Sequence, residues 1–242
     1  MKLTTKLAII LGASLAAAAA AHADQFQIKA GIYVSGAGGN YTADPIGGFE
    51  SVLANYVNGK STNGTVFGTF CLEMGEYFKP GFTYDVQLKT RAVNGGTDNH
   101  ENPDFAGDPI SKGTAFLYQK FATGALGAFS GATAASFQDL IWFLEDEKTS
   151  LAISTWTPAW TGMLMQTFGS VENAKTDNAP GGYGVMVMNL SLPAGKDDGL
   201  NGYQGIRDGR RQDHLVYVPD GGMTIVLLGI GLVGLAVIRR RT

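Results

Sequence analysis

Residues 70–73 read Phe70-Cys71-Leu72-Glu73, and Cys71 is the only cysteine among 242 residues. No disulfide can form within the chain. The thiol is therefore free, paired with another molecule, or chemically used. A free cysteine is also often a small buried hydrophobe. If residues 65–73 form a strand, Phe67, Thr69, Cys71 and Glu73 share one face, while Val66, Phe70 and Leu72 share the other. Glu73 could assist proton transfer at the thiol, as any strand carboxylate beside it could.

The remaining chemistry-bearing residues do not assemble by spacing. With His22 set aside, two histidines are left, His100 and His214. With a single cysteine they build no zinc site of the usual spacing. There is no G-x-S-x-G elbow for a serine nucleophile. The oxygen-rich stretches from Asp98 to Asp104 and from Lys196 to Asn201 could take calcium, but neither has the spacing of a calcium loop, and solvated loops are expected. Gly36-Ala37-Gly38-Gly39 precedes no clear helix, which argues against a phosphate loop. Sequons at Asn40, Asn63 and Asn189 are short enough to arise by chance. Trp156 and Trp160 would line a sugar platform or pack as a core pair, and the core pair is expected. The expectation is a non-enzymatic protein with no cofactor and no metal.

Several elements must position these residues. Phe26 to Val34 largely alternates and predicts a strand, followed by a glycine-rich loop from Ser35 to Gly48. Phe49 to Val57 fits a short helix or a strand equally. Strands are predicted from Thr65 to Leu72 and through Tyr84, Val86 and Leu88, with a polar loop from Asn94 to Pro109. A helix is predicted over Gly113 to Leu126. A second contains Phe137, Leu140, Ile141 and Leu144, which follow the i, i+3, i+4, i+7 pattern. Thr157-Pro158 is a start signal for a third, to about Phe168. Val185 to Leu192 and His214 to Val218 read as closing strands. The order predicts an α+β domain, an antiparallel, sandwich-like sheet with a helical insert.

The chain begins with Lys2 and Lys6, an apolar run from Leu7 to Ala21 and the small-residue site Ala21-His22-Ala23. This is the pattern of a secretory signal peptide over residues 1–23; the run is short for a membrane anchor. Residues 24–217 then make one extracytoplasmic domain, and residues 218–242 a C-terminal tail. The tail holds Val218-Pro219-Asp220-Gly221-Gly222, an apolar stretch from Met223 to Ile238, and Arg239, Arg240 and Arg241. The stretch would sit in a membrane with its arginines on the cytoplasmic side. Five of the 18 basic residues lie at these two ends, whereas 20 of the 21 acidic residues, all but Asp220, lie between them. The intervening chain is thus acidic, which argues against a nucleic-acid partner.

The motif, apolar helix and basic cluster of the tail resemble the PEP-CTERM class of sorting signals. The closest form is the variant beginning Val-Pro-Asp-Ser-Gly, with Gly221 replacing the serine. The resemblance implies an exosortase-type processing enzyme as partner, transient tethering through residues 223–238, and release to the cell surface or extracellular matrix. The alternative is a plain single-pass anchor. A second resemblance rests on Phe70-Cys71 and on Phe137-Gln138-Asp139-Leu140-Ile141-Trp142. Together they resemble the thioester domains of bacterial surface adhesins, although Leu140 stands where that family tends to have alanine. This resemblance implies an internal thioester between the Cys71 sulfur and the Gln138 side-chain carbonyl, with Trp142 shielding it one helical turn away. The same stretch also reads as an ordinary amphipathic helix with a glutamine on its polar edge. The sequence thus predicts an exported surface or matrix protein, structural or adhesive, working beside exopolysaccharide. The alternative is a covalent adhesin that reacts with a surface nucleophile.

Overall fold

A computed structural model describes residues 24–35, 38–46, 67–93, 107–151, 154–155, 157–178, 182–201 and 209–218. The signal segment 1–23, the stretch 49–57, Trp156, His100 and residues 219–242 lie outside the described residues. Six strands form one antiparallel sheet: β1 (Asp24–Ser35), β2 (Gly38–Ile46), β3 (Phe67–Thr69), β4 (Thr83–Lys89), β7 (Val185–Ser191) and β8 (Arg210–Tyr217). Their order across the sheet is β3-β2-β1-β4-β7-β8. A separate two-stranded ladder pairs β5 (Arg91–Ala92) with β6 (Asp108–Pro109). The helices are α1 (Lys112–Ala122), α2 (Gly131–Leu144), α3 (Thr157–Phe168) and the short α4 (Val171–Ala174).

The sheet curls until its two edges meet. Just past β3, Cys71 pairs antiparallel with His214 of β8. Leu72 N–H donates to the Asp213 carbonyl at 2.9 Å, and Leu215 N–H donates to the Phe70 carbonyl at 3.2 Å. The Thr69 hydroxyl adds a bond to the Leu215 carbonyl at 2.7 Å. Tyr118 of α1 straddles the seam, its hydroxyl within 2.9 Å of both the Gly68 and Leu215 carbonyls. Closure of this kind removes exposed strand edges, which would otherwise recruit other chains.

Strand alternation sorts the core into two clusters. Phe26, Ile28, Phe67, Tyr84, Met188 and Val216 gather inside the curl. On the other face Phe70, Leu72, Val187 and Leu215 meet the helices. There Phe137 of α2 packs on Phe70 at 4.9 Å and on Trp160 at 5.2 Å between ring centroids. Each such buried aromatic is worth about 1.5–3 kcal/mol by area, which anchors α2 more firmly than its propensity could. Ser111 and Ser130 cap α1 and α2 by accepting from the N–H groups of Thr114 and Thr133 at 3.1 and 3.2 Å. At the start of α3, Thr157 uses its hydroxyl to accept from Ser154 N–H at 3.1 Å.

The sandwich-like sheet expected from the sequence is instead a single curled sheet with helices on one face. Residues 38–46, expected as loop, form β2, because pairing with β1 outweighs the weak strand propensity of glycine. Asp108–Pro109, expected as loop, forms β6. α1 ends at Ala122 rather than Leu126, and α4 was not visible in the pattern. β8 begins at Arg210, four residues before the expected strand, because its polar residues find partners elsewhere in the chain.

Candidate functional site

Cys71 sits on the seam of the curled sheet. The bonds on either side of it make Cys71 and His214 a non-hydrogen-bonded antiparallel pair, so their side chains lie close on the same face. Cys71's own N–H and carbonyl therefore point away from β8, towards β2. The pairing of β2 with this segment ends at Thr69. Gln138 of α2 takes up the two main-chain groups left over. Cys71 N–H donates to Gln138 Oε1 at 3.0 Å, and Gln138 Nε2 donates to the Cys71 carbonyl at 2.7 Å. The carboxamide acts as a one-residue substitute strand. The structure thus brings together two residues 67 positions apart, and both hydrogen bonds go to the main chain of Cys71.

The thiol side of the site is dry. Cys71, Gln138 and His214 are buried. Burial pushes the Cys71 thiol well above its usual range. Burial also lowers His214 to about 3. The pair is therefore a thiol and a neutral imidazole at pH 7, not a thiolate–imidazolium ion pair. The imidazole stands edge-on to Phe78 at 4.8 Å and to Tyr41 at 5.8 Å. Neither ring nitrogen of His214 has a hydrogen-bond partner. Burial, and then the neighbouring Cys71, raise Tyr41 to about 12.

Trp142, expected as a shield, is buried on α2 one turn from Gln138, with Lys148 Nζ 5.3 Å from its ring centre. Val218 is buried, and its N–H donates to the Gly184 carbonyl at 2.6 Å. Pro219, Asp220, Gly221, Gly222, Arg239, Arg240 and Arg241 lie outside the described residues. Among the described residues no helix is long and apolar enough to cross a membrane; residues 223–238 were not among them. Trp160 belongs to the core, as expected. Asp198, in a loop considered for calcium, instead holds Arg211 through two bonds of 2.7 Å, and these hold its carboxyl down at about 2.

The sequence reading missed the neighbours of Cys71. It gave His214 to Val218 only as a closing strand; Val216 and Val218 of that strand belong to the cluster inside the curl. Tyr41 lay in the stretch expected as loop. A second group was also missed: Glu73, Glu76 and Asp213, all buried, with one carboxylate oxygen of each within 4.8 Å of the others.

Residues 217–242 match the VPDSG-CTERM motif, a variant of the PEP-CTERM-like sorting signal. The match concerns the tail alone; a signal of this kind suggests export and implies processing at the membrane by an exosortase-type enzyme. No curated protein and no solved structure matches the chain, and the resemblance to thioester domains gains no support from them.

Proposed function

We propose that residues 24–217 form the working domain of a surface or extracellular-matrix protein with a structural or adhesive role, sorted by its tail and working beside exopolysaccharide. The observation that carries this reading is the sorting motif at residues 217–242. It begins at Tyr217, the last residue of β8, so the signal follows directly on the folded domain. Residues 223–238 hold the chain in the membrane until an exosortase-type enzyme cuts near Val218 to Gly222. Arg239, Arg240 and Arg241 keep the tail's end on the cytoplasmic side. The test is to follow the chain in cells with and without the processing enzyme. Release to the surface or matrix that needs both the enzyme and residues 218–242 supports the reading. Release that is unchanged when either is removed contradicts it.

A second reading is favoured by the contact between Gln138 and Cys71. In a covalent adhesin the Cys71 sulfur adds to Gln138 Cδ. The amide nitrogen takes the thiol proton and leaves as ammonia, and a thioester remains. A nucleophile on a target surface then attacks the acyl carbon and returns Cys71 as a thiol. Trp142 would keep water from the bond. The intact mass decides: a deficit of one ammonia, absent from Cys71→Ala, supports this reading, and the full sequence mass refutes it.

A further inference from the structure

The closure of the sheet gathers charge beside the seam. Glu73 and Glu76 come from the segment after β3, and Asp213 comes from β8. Met188 pairs with His214 but Leu190 with Arg211, so β8 carries an extra residue here. A bulge of this kind re-aims side chains and is common next to sites. Glu73, Glu76 and Asp213 are 4%, 5% and 1% exposed. Their nearest oxygens lie within 4.8 Å of one another. Two ligands of one calcium ion at ~2.4 Å stand at most ~4.8 Å apart, so one ion can reach all three.

A second observation points to a ligand. Glu73 Oε2 and Asn189 Oδ1 are buried and have no hydrogen-bond partner. Asn189 spends its nitrogen on Asp213 Oδ2 at 2.9 Å and on the Arg91 carbonyl at 3.0 Å. Its oxygen is thereby left over beside Asp213. Buried polar oxygens in native proteins are nearly always satisfied, so one orphan within the carboxylate cluster and a second on the amide bonded to Asp213 call for an occupant. The main-chain N–H of Asp213 donates to Glu76 Oε2 at 3.2 Å, and that of Val93 to Asp213 Oδ2 at 2.7 Å. These bonds orient the carboxylates without neutralising them. Glu147 and Asp108 add further negative charge near Glu73, and the positive charge of Arg210 partly offsets the effect of burial on Asp213.

We propose that Glu73, Glu76, Asp213 and the Asn189 amide oxygen form a buried calcium site. All four ligands are hard oxygens, which excludes the soft-ligand metals. Magnesium keeps several waters and demands near-ideal octahedral geometry, whereas calcium accepts irregular, protein-rich shells. The ion would tie the segment after β3 to β7 and β8, and so hold the seam at which Cys71 lies. A calcium site here is independent of either reading of Cys71. Without the ion, burial and mutual repulsion drive Glu73 and Glu76 well above the usual carboxylate range, and burial pushes Asp213 up to about 8.

The test uses the full chain, stripped with chelator and titrated with calcium chloride, with heat and native mass as readouts. The expected result is one calcium per chain and a rise in unfolding temperature on its addition. Glu73→Gln and Asp213→Asn should each weaken binding at least ~10-fold, while Asp197→Asn, in the exposed loop, should leave it unchanged. If the stripped chain takes up no calcium at millimolar concentration, the carboxylates share protons instead and the proposal is overturned. Uptake that neither variant weakens overturns it as well. Should a variant fail to fold, the wild-type chain decides: an unfolding temperature indifferent to both chelator and calcium refutes the site.

Discussion

Replacing Gln138 by methionine keeps most of its volume and removes both bonds to Cys71. The Cys71 N–H and carbonyl would then be buried without partners, because β8 lies on the other side and β2 stops pairing at Thr69. Each unsatisfied buried group costs about 1–3 kcal/mol, so the loss should be about 2–6 kcal/mol. For a chain of this size that lowers the melting temperature by roughly 5–20 °C. Gln138→Ala should lose more, since it also leaves a cavity at a buried position. Gln138→Glu should lose less in acid than at neutral pH, since only the protonated carboxyl can both accept from Cys71 N–H and donate to the Cys71 carbonyl. The assay is urea unfolding of the full chain followed by circular dichroism, with Asp139→Asn as a surface control. A Gln138→Met variant within about 0.5 kcal/mol of wild type would refute the substitute-strand account.

Other perturbations probe other parts of the fold. Arg211→Ala should cost about 3–5 kcal/mol by leaving Asp198 buried and unpaired; chemical denaturation measures it. The same pair stabilises the protein above the ordinary Asp range, near 3.8, and that contribution is lost as pH falls towards about 2. His214 is held neutral at about 3, so its contribution is complete above its ordinary 6.5 and is lost progressively as pH falls below that value. In the chelated chain, Asp213 acts in the opposite direction. Its pKa is raised to about 8, so stability should fall as pH rises from about 4 through 8, and calcium should reverse that loss. Urea midpoints across this pH span, with and without calcium, separate the two effects. Gly184→Ala should destabilise by about 1–3 kcal/mol and loosen the end of β8. Gly184 has a φ of +64°, and an added Cβ would stand 2.6 Å from the Val218 carbonyl oxygen; hydrogen exchange at Val218 reads the loosening.

The elements that the sequence predicts well are those whose signal is local. Alternation in Tyr84, Val86 and Leu88 gives β4, and the four apolar residues from Phe137 to Leu144 give the buried face of α2. Thr157-Pro158 marks the start of α3. What was hidden depends on chain closure. Gly38–Ile46 is a strand only because β1 lies beside it. Arg211, Gln212 and Asp213 are polar and lie before the strand expected from His214, yet they are buried because Asp198, the Glu73 carbonyl and Glu76 satisfy them from distant positions. The meeting of Glu73 and Glu76 with Asp213 needs the curl of the whole sheet, and no spacing rule spans that distance. Cys71 and Gln138 stood out by residue type, but the role of Gln138 as a main-chain clamp follows from the direction of one strand's hydrogen bonds.

The measurement that bears most directly on the sorting account is the intact mass of the protein recovered from the surface or matrix of cells that make it with an exosortase-type enzyme present. The account predicts a chain that begins after residue 23 and ends between Val218 and Gly222. A surface form that still carries residues 223–242, with Arg239, Arg240 and Arg241 in place, would contradict it and leave the tail a permanent anchor.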